Sequence, residues 1–320
     1  MERPRKLIRA SVYRFLQNYQ FFTSIAAVLA FPYAISVLLS QALLLPSSSL
    51  LPFTSNHLKT LFDAAGFPTS SKFFSVLILK LSQTIASSIY SLPFSLTFLL
   101  ISKASVIQAL NQQKPNLLPS FSSIVALYDP LFITHLCNFF VFVSANATVF
   151  FLLFFAFNCL EGFGYFSLNC LLLVSAAGAF LYSVVIAKAI IICNLASILS
   201  GMERSGGFIA ILKACVLIQG SSATALSVAL PFNLGMAAIE ALFQYRVVQT
   251  YHVRERLGAS MVVEGMFVAY LYSVFVVLDA IVNTMFYKSC RAGSRISIWM
   301  DIAEKDNEVR NQLKDLEELP

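Results

Sequence analysis

Residues 130–160 read PLFITHLCNFFVFVSANATVFFLLFFAFNCL. No formal charge falls anywhere in these 31 residues. About 20 predominantly apolar residues suffice for a helix to cross roughly 30 Å of hydrocarbon. Barrel strands are shorter, about 9–11 residues, and alternate in polarity. This run is continuous, so it predicts a transmembrane helix.

Working outward, five more runs read the same way: Phe21–Leu45, Leu81–Ile101, Phe166–Ile192, Ala214–Tyr245 and Met261–Tyr287. The predicted fold class is all-α, a polytopic membrane bundle of about six transmembrane helices with short interfacial helices. Three regions follow. Residues 1–20 form a basic cytosolic N-terminal segment, 21–287 the six-span membrane domain, and 288–320 a cytosolic tail with an acidic amphipathic helix. The first run has 25 uncharged residues after a basic start. A cleavable signal has an apolar stretch of only about 7–15, so it reads as a retained signal anchor.

Composition agrees. Of 320 residues, 58% are hydrophobic and 12% charged, against about 25% charged in soluble domains. Disorder needs low hydrophobicity, and nucleic-acid binding needs a solvated basic face. The +6 balance, 22 basic against 16 acidic residues, therefore points to membrane lipids and not to nucleic acid. Lys and Arg collect in cytosolic loops. Arg3, Arg5, Lys6, Arg9, Arg14, Lys103, Lys114, Arg204, Lys213, Lys288, Arg291 and Arg295 fall on one side of a six-span chain. Lys59, Lys72, Lys80, Arg246, Arg254 and Arg256 fall on the other. Both ends are expected in the cytosol. The three arginines of 246–256 are the weak point of that pattern.

Smaller features have structural readings. Pro32, Pro93 and Pro231 fall inside spans, where each frees a carbonyl and kinks the helix. Ser221, Ala225 and Ala229 recur every four residues, a small-residue stripe for close packing. The sequon Asn146-Ala147-Thr148 lies mid-span and is expected to stay unmodified. The Ser- and Pro-rich loop 46–72 holds a short helix candidate, His57–Ala65. In the tail, Ile298, Ile302, Val309, Leu313 and Leu316 share one helical face. It reads as either a partner-binding helix or a solvated tail.

Charged residues inside spans are costly and mark function by default. Lys188 and Asp279 fall at similar expected depths, so they are candidates for an intramembrane charge pair. Such a pair either fixes helix register or forms a proton- or ion-coupled site. Lys188 alone can also snorkel to the interface. Glu240, near the outer end of its span, can meet Arg246 or Lys80. The histidines His57, His135 and His252 are scattered. The cysteines Cys137, Cys159, Cys170, Cys193, Cys215 and Cys290 lack zinc-site spacing and read as small buried hydrophobes. Cys193 and Cys290 are alternative palmitoylation sites. No phosphate loop, dinucleotide turn or nucleophile elbow occurs in the sequence. No catalytic residue, metal ligand or cofactor is therefore assigned, and the reading is non-enzymatic.

The most distinctive segment is Asn194–Gly220, NLASILSGMERSGGFIAILKACVLIQG. Ser205-Gly206-Gly207 can break the chain and start a helix. Glu203, just before that start, suits the positive end of a helix dipole. Phe208, Ile211, Leu212, Cys215 and Val216 then predict one apolar face of a short surface helix. Such a helix is either a rigid connector or a lipid- or partner-contacting element.

Glu203, Gly207, Ala210, Lys213, Leu217 and Gly220 give the spacing E-x3-G-x2-A-x2-K-x3-L-x2-G. This resembles a plant family of uncharacterised six-span integral membrane proteins. More distantly it is similar to bacterial multi-span membrane proteins with a like segment. The resemblance extends over about residues 80–287. It departs at ALYDPLFITH, where Asp129 stands and the family is usually more basic. It departs also at Ala214 and Gln219, where a small hydroxyl residue and a base are common. The resemblance implies fold and membrane location, without an activity.

The functional expectation is a multi-pass integral membrane protein of the endoplasmic reticulum, other secretory-pathway membrane or plasma membrane. It would act in membrane organisation or trafficking, contacting membrane lipids and a cytosolic protein partner through the C-terminal tail. The rival expectation is a transporter or channel-like protein for a small solute or lipid.

Overall fold

The computed structural model describes residues 4–43, 50–64, 72–111, 121–162, 168–254 and 258–317. Every element among them is helical. The chain is an all-α bundle. Six helices are long and apolar enough to cross a membrane: Tyr19–Ser40, Ser75–Asn111, Ile124–Ala156, Ala176–Glu203, Ser222–Tyr251 and Ala259–Ala292. They are called the first to sixth spans below. The molecule is membrane-embedded by this measure.

Burial ranks the spans. The sixth has 56% of its apolar window buried inside the protein, against 6% for the third. The sixth span is therefore the central post, packed by the first, second, fourth and fifth. The third and fourth form an antiparallel hairpin that leaves many large side chains facing outward, Phe139, Phe151, Phe155 and Phe180 among them. Outward apolar surface of this extent is what a hydrocarbon solvent accepts and water does not.

Three shorter helices complete the bundle. Pro4–Gln17 carries Leu7, Ser11 and Phe15 buried along one stripe against the sixth and fifth spans. Leu50–Ala64 packs Phe62 against Phe150 at the far end, with ring centroids 5.2 Å apart. Phe208–Gln219 links the fourth and fifth spans. Contacts fix which chain ends lie together. Lys288 Nζ donates to Leu110 O at 2.5 Å, Tyr287 OH to Glu203 at 2.8 Å, and Ser221 Oγ lies 3.8 Å from Cys290 Sγ. The ends of the second, fourth and sixth spans and the start of the fifth therefore share one end of the bundle. The N-terminal helix joins them there, and we call this the basic end.

Several helices run further than the sequence suggests. The second continues to Asn111, so Lys103 lies inside a helix and not in a 102–129 loop. The fourth continues to Glu203, so 193–203 is buried helix. The fifth span starts at Ser222, separated from Phe208–Gln219. The sixth runs without a break from Ala259 to Glu317, so no backbone boundary falls at 288. The side chains of the tail stripe, and those of Lys80, Cys170 and His252, lie outside the described residues.

The small-residue stripe packs inward: Ser221, Ala225 and Ala229 are all buried. The prolines differ in their effect. Pro32 follows a π-helical turn at Ala26–Ala30, and Pro93 precedes another at Ser95–Leu99. A proline leaves the carbonyl four residues earlier without its usual donor. For Pro32 that carbonyl belongs to Val28, inside the π turn. Thr97 Oγ1 donates to Pro93 O at 2.8 Å. A third π turn, Gln244–Val248, has no proline. Asn146 of the sequon is exposed on the third span. Its Nδ2 donates to Phe142 O, and its Oδ1 accepts from Tyr182 OH at 3.0 Å, tying the hairpin together.

Candidate functional site

Two polar centres stand out within an apolar chain. The first is built on the 203–220 segment. The fourth span ends at Glu203, and Arg204 takes the left-handed conformation that commonly closes a helix, φ 53°. Gly207 follows at φ 80° and ψ −149°, a region open essentially to glycine alone. Its N–H donates to Thr134 Oγ1 at 2.9 Å, while Thr134 donates to Pro130 O at 2.7 Å. Gly206 lies so close to the third span that a Cβ there would meet Pro130 O at 2.8 Å and Pro130 Cα at 2.9 Å. These glycines let the chain reverse tightly against the third span and start the connector helix.

Glu203 ties that turn to the sixth span. Its carboxylate accepts from Lys213 Nζ at 2.7 Å and from Tyr287 OH at 2.8 Å. Arg291 Nη1 donates to the Tyr287 hydroxyl at 3.4 Å. The expected dipole role of Glu203 gives way to this bridging one, because the acid closes the fourth span instead of opening the connector. The expected single apolar face also divides. Ala210, Ile211, Ala214 and Ile218 are buried, whereas Phe208, Ile209, Leu212 and Val216 are 60–72% exposed. Two alanines and two isoleucines pack inward while the other large residues point outward, and Ala210 and Gly207 serve close packing. Gly220 ends the connector, and nothing lies near its missing Cβ.

The second centre lies inside the bundle. Asp279 of the sixth span is 8% exposed. The charge that acts on it is the ammonium of Lys103, on the second span. Asp279 is likewise the strongest charge acting on Lys103, which is half-buried. Their depths agree. At 1.5 Å per helical residue, counting back from the Lys288–Leu110 bond puts Lys103 roughly 10 Å and Asp279 roughly 13 Å into the bundle. Lys103 Nζ donates no hydrogen bond among the described residues, so it acts on Asp279 through space and not as a direct ion pair.

Further in, Tyr272 OH donates to Glu240 Oε1 of the fifth span at 3.1 Å. Tyr33 of the first span lies within electrostatic reach of Glu240, Asp279 and Tyr272. On the sixth span, Tyr272, Asp279, Asn283, Tyr287 and Arg291 follow at helical spacing, and each of the first four is buried or half-buried. Together they form a polar file from the basic end into the bundle. The π turns flank it. Ala26–Ala30 precedes Tyr33, Ser95–Leu99 precedes Lys103, and Gln244–Val248 follows Glu240. Single π turns are rare and frequent at functional sites.

With this geometry in place, comparison with known families adds one finding. A family model described as a domain of unknown function, DUF8558, matches residues 6–304. The chain belongs to the DUF8558 family. No curated protein and no solved structure matches it. The match takes in the N-terminal helix, all six spans, the connector and both polar centres of this DUF8558 chain.

The remaining sequence candidates are distributed as follows. Lys188 is exposed on the fourth span and is not brought to Asp279. The physical reason is length. Because that helix continues to Glu203, Lys188 sits roughly 22 Å from its end. The partner of Asp279 is instead Lys103, hidden at the sequence level by its apparent place in a loop. The signal that could find it is the absence of Gly and Pro from LISKASVIQALN, which lets the helix of the second span continue. His135 pairs with Ser95 Oγ at 3.0 Å, joining the third and second spans. Cys137, Cys193 and Cys290 are buried. Among the described residues no group of three His, Cys, Asp or Glu side chains is placed to hold a metal ion.

Proposed function

We propose that this is a non-enzymatic, multi-pass integral membrane protein that organises its membrane from the basic end. In this reading both chain ends and the connector face the cytosol, in the endoplasmic reticulum, another secretory-pathway membrane or the plasma membrane. One observation carries the reading. The N-terminal helix presents Arg5, Lys6, Arg9 and Arg14 beside exposed Tyr13 and Leu16, and the connector turns Phe208, Leu212 and Val216 outward at the same end. Basic residues next to aromatic and aliphatic ones are the surface that an anionic lipid interface accepts. The acidic tail, helical to Glu317, extends from the same end and is the part that a cytosolic protein partner would meet.

The test is lipid association of the purified protein in nanodiscs of mixed neutral and anionic phospholipid. Neutralising Arg5, Lys6 and Arg9 to Gln should weaken anionic-lipid enrichment by roughly fivefold per charge, since each juxtamembrane cation contributes about 1 kcal/mol. Unchanged enrichment would remove the reading. A second reading is passage of a small solute or lipid, and the polar file through the sixth span favours it. Here Asp279→Asn would keep normal abundance and lose flux in sealed vesicles. Loss of abundance with normal flux per molecule would make the file structural.

A further inference from the structure

The geometry points to Asp279 as an intramembrane proton-binding carboxyl, with the Lys103 ammonium as its fixed counter-charge. The assignment stands on the arrangement of these groups and holds whether or not a solute crosses.

Asp279 is buried at mid-bundle on the most enclosed helix of the chain. A carboxylate there is stabilised only by what faces it. From the second span that is Lys103; from its own helix, Asn283 and Tyr272. Tyr33 of the first span lies within electrostatic reach of it, and Glu240 of the fifth accepts from Tyr272. Cys193 of the fourth span and His135 of the third lie within electrostatic reach of Lys103. Lys103 is the cation in this set, and it does not touch Asp279 directly. The two groups sit at similar depth on helices packed against each other, and among the described residues no ion pair joins them.

The proton step is simple in its balance. A hydronium ion reaching Asp279 gives up one proton to the carboxylate oxygen, forming a neutral carboxyl and one water. Nothing is oxidised or reduced. Neutralising Asp279 removes the counter-charge of Lys103, so the second and sixth spans lose their mutual attraction at that level. The π turn at Ser95–Leu99, one helical turn before Lys103, is the place in the second span where backbone pairing is already irregular. Occupancy by a proton is thereby coupled to the packing of two helices. Asn283, whose Nδ2 donates to Asp279 O at 2.9 Å, and Tyr287 lie one and two helical turns from Asp279 toward the basic end.

The test is infrared difference spectroscopy of the full chain in nanodiscs, acid against alkaline. The expected result is a carbonyl band of a protonated carboxyl that grows on acidification and is absent in Asp279→Asn. In Lys103→Met the band should appear at a pH at least about one unit higher, a tenfold tighter hold on the proton once the cation is gone. Lys103→Arg should leave it near the wild-type position. If Asp279→Asn does not fold, Asp279→Glu is read instead, and its band must differ in frequency from the wild type. A band that survives Asp279→Asn, one that is unmoved in Lys103→Met, or an unchanged band in Asp279→Glu would overturn the assignment.

Discussion

At the residue scale, the connections between spans rest on a few polar atoms. Glu203 is the clearest case, because one carboxylate joins the fourth span, the connector and the sixth span. Its two partners differ in weight. Lys213 is about half exposed, and exposed ion pairs contribute roughly 0–1 kcal/mol. Tyr287 is buried, and losing its hydroxyl leaves the acid with one donor fewer. Tyr287→Phe should therefore cost about 1 kcal/mol and Lys213→Ala about half of that or less, compared by thermal unfolding in detergent. Equal losses, or a larger one for Lys213→Ala, would contradict this ordering. Arg204 supplies an opposite prediction. It holds the left-handed conformation at the end of the fourth span, which glycine adopts without steric cost. Arg204→Gly should leave stability unchanged or raise it by up to about 1 kcal/mol.

At the element scale, the turn between the fourth span and the connector is built for closeness. A Cβ at Gly206 would strike backbone atoms of Pro130, which cannot step aside as a side chain could. Gly206→Ala is expected to cost on the order of 1–3 kcal/mol, and Gly207→Ala a similar amount through its backbone conformation. By contrast, alanine at Gly220 meets nothing within 4 Å and should be neutral or slightly stabilising. The measurement is the unfolding temperature of the three variants side by side. The spacing E-x3-G-x2-A-x2-K-x3-L-x2-G made this segment legible in the sequence as a break followed by a short helix. It did not reveal which face would turn inward. The predicted apolar face divides in the fold: Ile211 packs inward with Ala210, Ala214 and Ile218, while Phe208, Leu212 and Val216 face outward. The same limit applies to Asp279. Its cost inside a span was evident from sequence, but its partner was not. Lys188 and Lys103 each lie on an apolar helix, and only the true helix ends reveal which one shares the depth of Asp279.

At the scale of the whole molecule, six long apolar runs were readable because hydrocarbon length and backbone hydrogen bonding leave few alternatives. Their boundaries were less readable, since helices here extend well past the apolar stretch, as at Asn111, Glu203 and Glu317. We infer that the spans alternate across the membrane, with the N-terminal helix, the 203–208 turn and the end of the sixth span on one side. Packing of Lys288 on Leu110 and of Tyr287 on Glu203 supports that grouping. The most direct test is labelling of single cysteines, in a cysteine-free background, by a membrane-impermeant maleimide in sealed vesicles. Lys6→Cys and Arg204→Cys should label from the same side, and Lys59→Cys and Arg246→Cys from the opposite side. Labelling of Arg246→Cys together with Lys6→Cys would contradict the six-span arrangement.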